Sequence, residues 1–187
     1  SWKHYQEVQS TLEEVDRWFP ADEDDEAGLA LVTGAVSGDL ELFEFDDGDL
    51  VDPFRSRAAQ AGLDPLVDRI IAGYREATPS GGEHWLYRLA NGGAKTTALA
   101  RRPTINQDGK AIAKPLIETK GEGGYVIIAP SHGGVHPSGR PYRLLTGGFA
   151  TIVTLTHAER DALWSLARTF DEQAQRIHRV PWTSPQE

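Results

Sequence analysis

Three short segments place carboxylates, one histidine and glycines where they can handle a phosphate ester. The first is Leu40-Glu41-Leu42-Phe43-Glu44-Phe45-Asp46-Asp47. The second is Thr78-Pro79-Ser80-Gly81-Gly82-Glu83-His84-Trp85, and the third Ile117-Glu118-Thr119-Lys120-Gly121-Glu122-Gly123-Gly124-Tyr125. Each reads as a strand joined to a loop. Side chains alternate along a strand, so Leu42, Glu44 and Asp46 share one face and Phe43 and Phe45 the other. The aromatic pair can enter a core while the acids point into a cleft. Residues two apart are roughly 6.6 Å apart at the backbone, and their carboxylates can converge on one or two divalent ions. Burying carboxylates without a partner is costly, which favours a bound cation. The same pattern also suits an edge strand with its outer face in water. A slip of one residue would put Asp47 in the place of Asp46.

Glu118 sits late in a strand before a glycine-rich turn. Beside Glu44 and Asp46 on a neighbouring strand it would complete a triad of acids. Ser80-Gly81-Gly82 can expose several backbone N–H groups in a tight turn, a concavity suited to anions. His84 opens the next strand with Arg88 on its face, while Trp85, Tyr87 and Leu89 point to the buried side. These residues make a candidate triphosphate grip; a plain hairpin turn with a surface histidine fits the segment too. Lys120 adds a point charge beside a second glycine-rich loop, which matches neither a P-loop nor a dinucleotide fingerprint. His132 and His136 lie in a flexible loop, but with no Cys and no third ligand a zinc site is not expected.

The elements that must position these groups follow from periodicity and caps. Residues 10–19 read as a helix capped by Ser10, with Glu13 in the capping-box position and Leu12, Val15, Trp18 and Phe19 as its apolar stripe. The acidic run 22–26 reads as a solvated loop. Strands are predicted over 28–33 and 40–46, then a helix opened by Asp52-Pro53 and another from Pro65 to Ala72. Residues 74–78 and 84–89 read as two strands around a Pro-Ser-Gly-Gly turn. Residues 91–114 read as a loop with one strand near 96–101 and a turn at 107–109. Strands over 116–119 and 125–129 read as a pair. A loop spans 130–141, with short strands at 142–145 and 150–155. Thr156 and Glu159 cap a last helix whose Leu163, Leu166, Ala167 and Phe170 face inward. The Pro-containing tail from Val180 reads as a linker.

With zero Cys there is neither a disulfide scaffold nor a thiolate metal site, which fits a cytoplasmic protein. No apolar run approaches the ~20 residues of a membrane span. The sequence contains no Met and is expected to be a piece of a longer chain. The net charge of −9 is unevenly spread and argues against a generic, charge-driven nucleic-acid binder. Residues 1–83 carry 6 Lys and Arg against 20 Asp and Glu; residues 84–187 carry 13 against 8. Arg101, Arg102, Lys110, Lys114, Lys120, Arg140 and Arg143 can still offer phosphates a local surface.

In this order the segments resemble the primase-polymerase domain of the archaeo-eukaryotic primase superfamily, in particular the bifunctional primase-polymerase domains of bacterial mobile elements and phages. Glu44-Phe45-Asp46 matches a strand with two acids one residue apart. Ser80 to His84 matches a Ser-Gly-Gly-x-His segment. Glu118 with Gly123 to Ser131 matches a third acid before a Gly-Gly-Tyr-Val-Val-Ala-Pro-Ser-like stretch. The likeness runs from about residue 2 to 172. Glu44 stands where many members have Asp. The family usually has a short segment before the position of Trp2.

The resemblance implies an α/β (α+β) fold: a mixed or antiparallel RRM-like sheet flanked by helices, with a small N-terminal α/β lobe. Residues 1–179 would form the catalytic domain and 180–187 a linker, often to a helicase module. Glu44, Asp46 and Glu118 would bind Mg²⁺ or Mn²⁺. His84 would contact the triphosphate, with Ser80, Gly81, Gly82, Arg88 and Lys120 in the same phosphate site. The implied reaction is primer synthesis and extension from dNTPs or NTPs on single-stranded DNA, in a bacterial cell and under phage or mobile-element control. Two other readings use the same residues: a metal-dependent nuclease or nucleotide hydrolase, and a non-catalytic nucleic-acid- or protein-binding module.

Overall fold

A computed structural model describes residues 2–20 and 28–173. The acidic run at 22–26 and the tail from 180 lie outside the described residues. After a 3₁₀ turn at Trp2–Gln6 come α1 (Leu12–Trp18), β1 (Ala30–Val32) and β2 (Leu40–Phe45). Helices α2 (Val51–Gln60) and α3 (Asp64–Gly73) lead into the hairpin β3 (Tyr74–Ala77) and β4 (Glu83–Leu89). A long hairpin of β5 (Thr97–Ile105) and β6 (Ala111–Lys120) precedes β7 (Tyr125–Ile127). Strands β8 (Arg143–Gly147) and β9 (Thr154–Leu155) and helix α4 (His157–Arg168) follow.

The main sheet runs β5-β6-β2-β4-β3-β8, with β9 parallel beside β4, and β1 pairs with β7 in a separate two-stranded sheet. Every strand pairing but β4–β9 is antiparallel. This is the expected class, a mostly antiparallel sheet flanked by helices with a small second lobe.

β2 lies between β6 and β4, and its alternation decides what each face does. Phe43 and Phe45 are fully buried against Phe54 of α2 and Trp85 of β4, with ring centroids 4.8 to 5.8 Å apart. Ile70 of α3 and Leu163 and Ala167 of α4 join this core. Each large apolar side chain removed from water contributes roughly 1.5–3 kcal/mol. The opposite face is divided. Leu40 and Leu42 pack with Tyr74, Leu86, Val126 and Ile128, where the β1–β7 lobe closes over the sheet. Glu44 lies one step beyond that apolar patch and borders a cleft of about 410 Å³.

Several expectations need correction. α1 is capped by Thr11, not Ser10, and Glu14 rather than Glu13 completes the capping box. Its stripe faces outward: Leu12 is 82% exposed and the helix buries no residue. Trp18 instead meets Tyr5 edge-on at 5.1 Å. The stretch 91–114 holds two long strands. Residues 116–119 and 125–129 do not pair with each other. β6 pairs with β2 and β5, and β7 with β1, because the turn after Lys120 carries the chain out of the main sheet. Thr33 anchors that turn, its hydroxyl donating to the Gly121 carbonyl at 2.6 Å. Of 150–155, only Thr154–Leu155 is strand, with a 3₁₀ turn at Phe149–Thr151 before it.

The turn after β3 lies directly against the end of β2. A Cβ on Gly82 would stand 1.9 Å from the Phe45 carbonyl oxygen, and one on Gly48 would stand 2.0 Å from the Gly81 oxygen. Backbone packed this closely leaves no room for a side chain. Gly82→Ala should therefore destabilise the fold by roughly 1–3 kcal/mol, read as a lower urea midpoint with an unchanged m-value.

Candidate active site

Strand register assembles the site. Glu118 of β6 is the direct partner of Glu44 of β2, Glu44 of His84 in β4, and His84 of Glu76 in β3. Four polar side chains thus form one row across four strands, on the face that the aromatic core does not use. Directly opposed side chains of an antiparallel pair stand about 4.5–5.5 Å apart at Cβ, close enough to interact.

His84 is held from both sides. Nδ1–H donates to Glu76 at 2.7 Å and Nε2–H to Glu44 at 3.3 Å. Burial opposes charge on the ring, yet the hydrogen bonds and charges of Glu44 and Glu76 carry its pKa up to about 9. The ring is therefore an imidazolium with two donors at neutral pH. Glu76 is fully buried and is itself fixed by the Tyr74 hydroxyl at 2.6 Å and the Ala129 N–H at 2.8 Å. Tyr142 lies across the cleft, its ring centroid 5.9 Å from that of His84.

Lys120 closes the other end of the row. Its Nζ pairs with Glu118 and stands 3.7 Å from Glu44 Oε2. Burial works against the Glu44 carboxylate, but His84 and Lys120 outweigh it and hold its pKa below the ordinary range. Burial raises that of Glu118, with Lys120 opposing and Glu44 adding to the rise. Asp46 follows at the end of β2, its N–H donating to the Leu116 carbonyl at 3.0 Å. Burial first, then the charges of Glu44 and Glu118, push its pKa up to about 6. Asp46 is thus the acid beside the pair. Asp47 turns away, accepting from the Asp49 N–H at 3.1 Å and facing Arg102 at 3.3 Å.

The remaining candidates divide. The Ser80 hydroxyl shares a 2.9 Å hydrogen bond with that of Thr78, and the Gly81 N–H is spent on the Thr78 carbonyl. In the second loop, the Glu122 and Gly124 N–H groups bond to the Ala94 and Gly121 carbonyls. These N–H groups are thus already bonded within or beside their own turns. Arg88 is not brought to the row. It reaches the Ser37 and Gly38 carbonyls instead, four residues along β4 from His84 and so roughly 13 Å away. His132 and His136 cap their own loop through Nδ1, toward the Gly134 N–H at 3.1 Å and Ser138 at 2.8 Å.

Glu76 and Tyr142 are the residues that reading the sequence missed. A turn over Thr78–Gly82 pairs 77 with 83 and so 76 with 84; that arithmetic was the available signal for Glu76. Tyr142 enters from a distant loop and leaves no local signal.

A family described as "Bifunctional DNA primase/polymerase, N-terminal" (Prim-Pol) matches residues 1–159. The chain belongs to this family. No curated protein matches it. Membership of Prim-Pol implies a nucleotidyltransferase-type enzyme associated with DNA replication, one that uses a DNA template and nucleotide substrates. Among the described residues no helix is long and apolar enough to cross a membrane.

The donor set suits a hard divalent cation, since Glu44, Asp46 and Glu118 offer only carboxylate oxygens. Among the described residues no group of three or more His, Cys, Asp or Glu side chains is already arranged to hold a metal ion. Lys120 neutralises two of the acids in that arrangement, and the raised pKa of Asp46 marks a place where further positive charge is favourable.

Two outcomes follow for this Prim-Pol site. A carboxyl whose pKa rises on folding costs stability as pH climbs from about 4 through about 6, and the deficit persists above. Asp46→Asn should therefore stabilise the protein at pH 7 by about 1 kcal/mol after solvent screening, measured by urea denaturation. Glu76→Gln removes one of the two carboxylates around His84. Its imidazole pKa, followed by NMR, should fall from about 9 toward 6.5; an unchanged pKa would show that Glu76 does not hold the charge.

Proposed function

We propose that this chain is the catalytic domain of a template-directed primase and DNA polymerase. It would make primers and extend them on single-stranded DNA, from dNTPs or NTPs, in the replication of a bacterial phage or mobile element. A helicase module after the tail fits the same role. The observation that carries the reading is the row Glu118–Glu44–His84 across three adjacent strands, with Asp46 beside it.

In nucleotidyl transfer a 3′-hydroxyl attacks the α-phosphate in line and pyrophosphate leaves. Glu44, Asp46 and Glu118 would hold Mg²⁺ or Mn²⁺. The chemistry such ions supply is positive charge that eases ionisation of the hydroxyl and stabilises the leaving pyrophosphate, in a two-metal arrangement. His84, doubly protonated, is no general base; its Nε2–H, 3.3 Å from Glu44, would become a charged donor for a phosphate oxygen once Glu44 turns to a cation. Lys120 adds a movable ammonium at the cleft wall, and the Ser80 hydroxyl lies on the adjoining turn. Gly81 and Gly82 let that turn press against β2. Glu76 keeps the imidazolium oriented, so its donor is set before substrate arrives.

With a primed single-stranded template, nucleotides and Mn²⁺ or Mg²⁺, the wild-type chain should extend the primer. Asp46→Ala and Glu118→Ala should each lower the rate at least 100-fold with circular dichroism unchanged. Shortening of the primer without extension would favour the hydrolase reading. Template affinity untouched by Asp46→Ala, with no divalent ion required, would favour a binding module. Without a divalent ion Asp46 should titrate near pH 6 in an NMR titration, and Mg²⁺ should lower that pKa; a titration unmoved by Mg²⁺ would remove Asp46 from the site.

A further inference from the structure

The cleft already contains a cation of the protein's own. Lys120 is the last residue of β6, and its side chain is 24% exposed. Its ammonium pairs with Glu118 and lies 3.7 Å from Glu44 Oε2. These are two of the three acids assigned above to a divalent ion. An ammonium and a divalent cation repel each other and compete for the same oxygens. The ammonium sits on a flexible four-carbon stem. Lys120 lines the cleft together with His84, Gly123, Gly124 and Tyr142, so a short swing carries Nζ toward the space a triphosphate would enter. Lys114, by contrast, makes no ion pair with Glu44 or Glu118 among the described residues, although its charge is felt at Asp46.

We propose that Lys120 is an internal counter-ion that makes this site take a divalent cation together with a nucleoside triphosphate, as one chelate, rather than the cation first. The inference rests on the nucleotidyl-transfer reading above. In the empty site the ammonium neutralises Glu44 and Glu118, and a lone divalent ion binds weakly because it must displace it. When the ion arrives with a triphosphate, the ammonium leaves the carboxylates for phosphate oxygens. The exchange replaces one positive charge beside the acids with two and gives Lys120 a partner in both states. It also makes cation and nucleotide reciprocally cooperative, since each tightens the other by the same factor.

The test measures Mn²⁺ binding by electron paramagnetic resonance, with and without a non-hydrolysable dATP analogue. It compares the wild-type chain, Lys120→Met, Lys120→Gln and the control Lys114→Met. Wild type should bind Mn²⁺ alone weakly and at least tenfold more tightly with the analogue. Both Lys120 variants should bind Mn²⁺ alone at least fivefold more tightly than wild type, with the analogue then adding less than threefold. Lys114→Met, which removes a nearby charge but no contact, should change Mn²⁺ affinity less than twofold. Mn²⁺ affinity unchanged in both Lys120 variants, an equal gain in Lys114→Met, or undiminished coupling to the analogue would each overturn the proposal. Primer extension by the wild type separates this from the underlying reading. Extension together with unchanged Mn²⁺ affinity in the variants removes only the role of Lys120. Tightened Mn²⁺ binding without any extension by wild type supports the counter-ion and removes polymerase function.

Discussion

Cross-strand register is the constraint on which this structure depends. Glu118, Glu44, His84 and Glu76 belong to four different strands, and they meet only because β6, β2, β4 and β3 pair with those residues opposed. A slip of one residue in β2 would turn Glu44 into the aromatic core and Phe43 or Phe45 into the cleft. The cost of exposing those rings, and of burying an unpaired carboxylate among Phe54 and Trp85, fixes the register. The core on one face thereby sets the chemistry on the other.

The row is also balanced electrically. Three acids gathered in one half-buried cleft of a chain of net charge −9 would repel one another. One imidazolium and one ammonium offset this. His84 is locked between two carboxylates, and its buried position on the central sheet leaves it little freedom. Lys120 stands at a strand end beside a glycine turn and has room to move. One cation therefore suits a fixed role and the other a mobile one. Asp46 makes no ion pair with either among the described residues, and burial together with the charges of Glu44 and Glu118 keeps its pKa raised.

A second buried acid shows what the same residue type does away from the cleft. Glu41, on the core-facing side of β2, is 1% exposed and accepts from the Tyr87 hydroxyl. Trp164 of α4 donates to that hydroxyl oxygen at 3.3 Å, and Arg160, stacked on Trp164, stands 3.9 Å from Glu41 Oε2. Burial raises the Glu41 pKa. The group ties α4 to the central strand, with Glu41 Oε2 left without a hydrogen-bond partner beside Arg160. Glu44, three residues on, lines the cleft; position relative to the sheet, not residue type, separates the acid that ties α4 down from the acid that borders the cleft.

The alternation of Leu40 to Asp46, the hairpin turn at Thr78 to Gly82 and the capping box at Thr156 were legible from the residues alone, because each depends on neighbours a few positions apart. So were Glu44, Asp46, Glu118 and His84 as candidates, and the burial of Phe43, Phe45, Trp85 and Tyr87. The pairing of β7 with β1 was not, since a glycine-rich turn permits several exits and distant groups, Gln6, Thr33, Ala35 and Ala94, anchor the one taken. Nor was the outward-facing stripe of α1, because periodicity shows a face without showing what lies against it. The residues alone determined which groups can do chemistry and that strands carry them. Tertiary structure decided that Asp46 and not Asp47 joins the acids, that Arg88 serves a turn, that Lys120 pairs with Glu118 beside Glu44, and that Glu76 and Tyr142 lie beside His84. Those assignments depend on contacts between segments tens of residues apart, and local spacing carries no record of them.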